Sequence, residues 1–291
     1  MTDTSSQSPS DAPTTRNKKP SVFVMSSQVV SGLVGLKATM PALRSQGHET
    51  ITLPTTLLSA HPAAFPEQGP PAGGPMPPAR MVEIADWLLA AGALDNCGAI
   101  LTGYLPSAEH VEAAAQIVSE IKAARPGTLF CCDPICGDHE QLYLPEGVLH
   151  ALKDKLLPLA DMATPNLFEL KMLTQTESFA DEAEIVAAAR ALNVEHLVVT
   201  SAPAPEGRVA SLAITDMVMR CETAKAPEAP YGMGDFFAAL YLALHLADEQ
   251  KALGIACATL AQMAATNMEN KSLPHGPVQI ASAAIQDKLN I

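Results

Sequence analysis

The chain has 291 residues, 48% hydrophobic and 17% charged, which is enough apolar material for a sizeable core and excludes a disordered protein. Its formal net charge is -13, with 18 Lys and Arg and no basic block, which excludes a general affinity for nucleic acid or an acidic membrane surface. No apolar run reaches the ~18 residues of a membrane span, and the N-terminus lacks the basic-then-apolar order of a signal peptide.

In chain order, residues 1–20, "MTDTSSQSPSDAPTTRNKKP", are rich in Ser, Thr and Pro and predict a disordered tail, leaving 21–291 as a single domain. From Ser21 the pattern alternates between strand-like and helix-like segments. "SVFVMS" (21–26) and "HETITL" (48–53) predict strands, with "GLKATMPALRSQ" (35–46) as a helix between them. Residues 54–80, "PTTLLSAHPAAFPEQGPPAGGPMPPAR", are so rich in Pro and Gly that they predict a long binding loop or lid. "GAILTGY" (98–104) and "SAEHVEAAAQIVSEIKAAR" (107–125) repeat the strand and helix unit.

"TLFCCDP" (128–134) predicts a buried strand ending in an Asp-Pro turn. "NLFELKMLTQ" (166–175) and "DEAEIVAAARALN" (181–193) predict helices, and "HLVVTSAP" (196–203) a strand. "RVASLAIT" and "MVMRCET" flank Asp216 as a hairpin, and helices at 234–247, 249–268 and 277–289 close the chain. The sum is an α/β sandwich around a mostly parallel sheet, with its ligand site beyond the carboxyl ends of the strands. Ser27, Tyr104, Asp133, Thr200 and Ser201 are expected at those ends, after the strands "SVFVMS", "AILTG", "LFCC" and "LVVT". The six cysteines sit mostly in apolar stretches without the paired spacing of a zinc site, which reads as reduced thiols in a cytoplasmic protein.

The most informative stretch is "PYGMGDFFAALYLAL" (230–244), with two glycines and an aspartate directly before an apolar helix. Glycines there let backbone N–H groups approach a ligand, and the positive helix end favours an anion. A carboxylate beside an anion site is repulsive unless it takes a proton, which gives Asp235 a chemical role. On local grounds "GMGD" also suits a plain helix start. Asn166 and Glu169 likewise have the spacing of a capping box, and a solvated loop is the ordinary setting for His61.

"GMGD" before an apolar helix resembles the signature of the ribokinase-like superfamily, which implies a three-layer α/β/α sandwich. Within it the chain most resembles the pyridoxal kinases, through "SSQVVSGLVG", "LTGY", "CDPICGD", "LYLPEGVL", "LLPLADMATPNLFELKML" and "GMGDFFAALYLAL", in the family's order. The resemblance implies Asp235 as catalytic base, Gly232, Met233 and Gly234 as the anion hole, and Asn166 with Glu169 as the pair that holds magnesium and its water shell. It places Asp133 and Asp138 near the phosphates and metal, with Thr200 and Ser201 near the ATP phosphates. On the substrate side it implies Ser27, His61, Tyr104 and Tyr143.

The implied reaction is transfer of the γ-phosphoryl of ATP to the 5′-hydroxymethyl of pyridoxal or a related B6 vitamer. Mg²⁺ is the implied metal, a monovalent-ion requirement stays open, and a cytoplasmic homodimer is the implied state. The departures cluster on the substrate side. Where such kinases read "QSHV" and then "GN", this chain has Ser26, Gln28 and Leu36; their "SNHT" becomes "SAHP", with Ala60 and Pro62. Leu33 and Met233 are further departures, in the two glycine loops. These keep two alternatives open: a kinase for another hydroxymethyl heterocycle such as hydroxymethylpyrimidine, and a non-catalytic pyridoxal or nucleotide sensor.

Overall fold

The computed structural model describes residues 19–138, 140–226, 229–266 and 288–289. The first half of the chain supplies β1 (Ser21–Ser31), α1 (Leu36–Ser45), β2 (Thr50–Ala60), β3 (Gly73–Pro75), α2 (Pro78–Ala90), β4 (Cys97–Thr102), α3 (Ala108–Ala124) and β5 (Leu129–Cys132). A short hairpin follows, β6 (Gly137–Asp138) and β7 (Gln141–Leu142), then α4 (Glu146–Ala151), β8 (Met162–Ala163), α5 (Leu167–Thr174) and α6 (Glu182–Arg190). The remaining elements are β9 (His196–Ala202), β10 (Arg208–Ile214), β11 (Val218–Ala224), α7 (Met233–His245), α8 (Glu249–Thr266) and β12 (Lys288–Leu289).

Ten strands form one sheet in the order β12-β11-β10-β9-β8-β5-β4-β1-β2-β3. From β2 to β9 every pair is parallel, and antiparallel strands complete both edges. The central strands read as nearly continuous apolar runs because both of their faces are covered. Phe23, Met25, Ile100, Phe130 and Cys132 point into one cluster with helices α2 to α6. Their neighbours Val22, Val24, Ala99, Leu101 and Cys131 point into the other, with α1, α7 and α8. Period-2 alternation thus divides each strand between two cores, giving three layers. Helix α7 is apolar all round, and Phe236 to Leu244 are all buried, because it lies between the sheet, α1 and α8.

Several boundaries depart from the sequence expectation. Residues 54–80 are not one long loop: β2 runs on to Ala60, β3 pairs back antiparallel at Thr56↔Pro75 and Leu58↔Gly73, and α2 starts at Pro78. Proline is acceptable in the first turn of a helix, and Thr55 to Leu58 suit a strand, so the density of Pro and Gly concealed both elements. Ser27 does not follow β1 but lies inside it, where the register against β2 shifts between Ser26 and Gln28. Thr200 and Ser201 are likewise inside β9. The helix expected at 277–289 falls outside the described residues except for Lys288–Leu289, which pair with β11 as a strand. Residues 1–18 of the expected tail and 267–268 of the helix expected at 249–268 also lie outside them.

Candidate active site

Two loops meet at backbone distance to form the floor of the site. After β1 the chain turns through Gly32 and Gly35, the latter at φ 56, and a Cβ on Gly35 would lie 2.1 Å from the Ser27 carbonyl oxygen and 2.3 Å from its Oγ. Gly232, at φ 85, caps α7, and a Cβ there would lie 2.0 Å from the Leu33 carbonyl oxygen. Both positions therefore require glycine for conformation and for space. Gly232 gives α7 no side-chain cap, and a Cβ on Gly234 would meet nothing within 4 Å. The helix thus begins in open space with the orphan N–H groups of its first turn uncapped by a side chain, a ready anion cradle.

Asp235 sits in that first turn. Its Oδ2 accepts a hydrogen bond from the Gly35 N–H at 3.0 Å, which joins the two loops. Burial raises its pKa from the ordinary carboxyl value to about 6, opposed by the Gly35 bond. Asp133, at the end of β5, is 6% exposed and accepts from Thr164 Oγ1 at 2.9 Å. Its pKa is pushed up by burial first, then by the negative charges of Glu169 and Asp235.

Asn166 and Glu169 do form a capping box: Asn166 Oδ1 accepts from the Glu169 N–H at 2.8 Å, and Glu169 Oε2 accepts from the Asn166 N–H at 2.9 Å. Glu169 Oε1 accepts from the Cys136 N–H at 3.1 Å, and Asn166 Nδ2 donates to the Gly137 carbonyl at 2.9 Å. The pair therefore ties the start of α5 to the β5–β6 loop. Glu169 is 3% exposed, and burial raises its pKa against the lowering effect of those N–H donors.

Asp133, Glu169 and Asp235 thus share one electrostatic field, and their mutual repulsion asks for a positive partner. Oxygen donors of this kind, with Asp138 on the adjoining β6, fit a hard divalent cation such as Mg²⁺.

Of the other expected residues, Thr200 and Tyr143 adjoin this centre. Thr200 bridges to Asn166, and its N–H donates to the Pro165 carbonyl at 3.0 Å. Between Val199 and Ala202, β9 has one more residue than β10 opposite, and Ser201 adopts φ 59: a β-bulge that redirects Thr200 and Ser201 at the carboxyl end of the strand. Tyr104 is fixed by its backbone, its N–H donating to Ser26 Oγ at 3.3 Å and its carbonyl accepting from Thr55 Oγ1 at 2.7 Å. Tyr143 follows the β6–β7 hairpin and is exposed; burial of its hydroxyl and the charges of Asp138 and Glu169 push its pKa up to about 12.

His61 lies in the loop after β2, away from the carboxylates in sequence, yet its ring stacks on Tyr231, with centroids 4.4 Å apart and planes 23° apart. Burial lowers its pKa. The loop also lines an open pocket of about 390 Å³, bordered by Ser59, Ala60, His61, Pro62 and Phe65 among others.

Sequence reasoning did not single out Gly35, Thr164 or Tyr231. Tyr231 had a usable signal, since it directly precedes "GMGD". Gly35 closes the quoted "SSQVVSGLVG", but nothing in the sequence pairs its N–H with a residue 200 positions away.

The model of the phosphomethylpyrimidine kinase family matches residues 84–279. The pyridoxine/pyridoxal/pyridoxamine kinase of Bordetella avium is 37% identical over 225 residues, covering 75% of this chain and 75% of that protein. Among solved structures, the pyridoxal kinase of Leishmania donovani in complex with ADP and pyridoxamine is similar with a TM-score of 0.79 and 29% identity, covering 87% of this chain and 91% of its own. A putative phosphomethylpyrimidine kinase from Bacteroides thetaiotaomicron shares the fold at a TM-score of 0.82 with 21% identity, covering 94% of this chain and 100% of its own. With its three-layer sheet architecture and its glycine-flanked aspartate at a helix start, the chain belongs to the pyridoxal kinase family.

Proposed function

We propose that this chain transfers the γ-phosphoryl group of ATP to the 5′-hydroxymethyl group of pyridoxal or a related B6 vitamer, with Asp235 as general base. One observation carries the reading: Asp235 stands in the first turn of α7, held by the Gly35 N–H, with a pKa of about 6 that suits proton transfer near neutral pH. The substrate hydroxyl gives its proton to Asp235 as its oxygen forms the new bond to phosphorus, and the bond from the γ-phosphorus to the bridging oxygen breaks to release ADP. The N–H groups of Gly232, Met233 and Gly234 hold the charge that develops on the transferring group.

Asp133, Asp138 and Glu169 supply the carboxylates toward Mg²⁺, which when bound offsets the negative charge of the phosphates. Asn166, Thr200 and Ser201 serve the nucleotide side, and Ser27, His61, Tyr104 and Tyr143 the vitamer side. The same proposal takes residues 21–291 as one kinase domain acting in the cytoplasm as a homodimer; among the described residues no helix is long and apolar enough to cross a membrane. The test is an ADP-release assay across pyridoxal, pyridoxine, pyridoxamine and hydroxymethylpyrimidine, with and without Mg²⁺. Mg²⁺-dependent turnover of the vitamers is the expected result. Preference for the pyrimidine would change the substrate, and binding without turnover would make the chain a sensor.

A further inference from the structure

At the end of the sheet opposite the carboxylates, three side chains from three elements converge. His196 is the first residue of β9, His245 the last of α7 and Glu249 the first of α8. One ligating atom from each lies within 4.8 Å of the others. We propose that His196, His245 and Glu249 form a binding site for a divalent transition-metal ion of the zinc type, separate from the phosphoryl-transfer centre. The separation is large: the ten-residue step along α7 from Asp235 to His245 spans about 15 Å.

The donor set is the reason for the metal class. Two imidazoles and one carboxylate suit zinc, whereas Mg²⁺ prefers oxygen alone. His196 Nδ1 and Glu249 Oε1 are 3.4 Å apart, close to the ~3.3 Å edge of a tetrahedron with metal-ligand distances of about 2.0–2.1 Å. The other nitrogen of His196 is 2.6 Å from the hydroxyl of Tyr241, which is fully buried. With a metal on Nδ1, the Nε2–H donates to that hydroxyl, the outer partner that fixes the ring of a metal-bound histidine. His245 Nδ1 is buried and has no hydrogen-bond partner. That orphan nitrogen is what an ordinary histidine-carboxylate contact leaves unexplained and a third ligand accounts for. Glu249 is half exposed and gives an ion access from solvent. Such an ion would staple the turn between α7 and α8 to the start of β9.

The test uses chelator-stripped full-length protein in excess Mg²⁺, which occupies oxygen-ligand sites. Zinc stoichiometry is measured by competition with a chromophoric chelator, and Co²⁺ is added as a spectroscopic probe. Wild type is expected to bind one equivalent of zinc that His245→Gln and Glu249→Gln each weaken at least tenfold, and to show the intense visible bands of four-coordinate cobalt, which both variants lose. Zinc should raise the Tm of wild type and not that of the variants. Glu249→Gln, at an exposed position, covers the case in which His245→Gln does not fold. Equal zinc stoichiometry and cobalt spectra in wild type and Glu249→Gln, or no zinc bound by wild type at micromolar free ion, would overturn the site and leave His196 and Glu249 as a simple side-chain contact.

Discussion

The carboxylate of Asp235 and the backbone N–H of Gly35 are joined by a 3.0 Å hydrogen bond that spans 200 residues of sequence. An amide at position 235 can still accept that bond, so Asp235→Asn is expected to keep the fold and the affinity for ATP. It loses the proton acceptor, and turnover should fall by about 10²–10⁴-fold. ADP release and ATP affinity, measured on both proteins, check the separation; an equally active Asn variant would remove Asp235 from the mechanism.

Proton affinity at this carboxyl has opposite effects on activity and stability. Phosphorylation needs the ionised form, so kcat/KM should fall about tenfold per pH unit below a pH of about 6. Folding prefers the neutral form, because the folded pKa lies above the unfolded one; the penalty is absent below the unfolded value of about 4 and grows until the pH passes about 6. The Tm of Asp235→Asn relative to wild type should therefore rise between pH 4 and pH 6 and level off above. The comparison with Asn cancels the histidines, whose lowered pKa values act with the other sign.

The two glycines of "GMGD" should answer differently to alanine. Gly232→Ala forces a left-handed residue into the Leu33 carbonyl and should cost about 2 kcal/mol or more, several degrees in Tm. Gly234→Ala meets no neighbour and favours helix, so its Tm should hold or rise while activity falls, because the methyl group fills the open helix mouth. Thermal melts beside ADP-release rates distinguish the two; a stable, fully active Gly234→Ala would mean that no phosphate approaches that position.

Removing the His61 ring deletes its stack on Tyr231, and aromatic pairs of this kind contribute about 0.5–1.5 kcal/mol. His61→Ala is accordingly expected to raise KM for the vitamer by about 2- to 10-fold with a smaller effect on KM for ATP. Tyr231→Phe keeps the ring and should behave like wild type. Equal effects on both substrates would place the pair outside the vitamer pocket.

Strand and helix periodicity made the parallel sheet legible, because strands covered on both faces, such as Phe23 with Val24, must be apolar throughout. The hairpin of β2 and β3 was not legible, since Pro and Gly mark loops and also edge strands and helix starts. At the site, the ordered motifs pointed to Asp235, Asn166 and Glu169. The sequence alone could not separate a capping box from a metal pair; the structure shows the box fully formed, with both Glu169 oxygens accepting backbone N–H groups. Nor could it foresee the bulge at Ser201, which depends on what lies opposite in β10.

Leu33 against Gly232 is a contact between main chains, and Gly35 lies against both the carbonyl and the hydroxyl of Ser27. An insertion or deletion in either loop would pull the other out of place. Divergence at this spot is thereby confined to exchanging side chains along a fixed path: Ser26 is buried with its hydroxyl oxygen accepting from the Tyr104 N–H, Gln28 sits at the register shift of β1, and Leu36 packs in the core with α7.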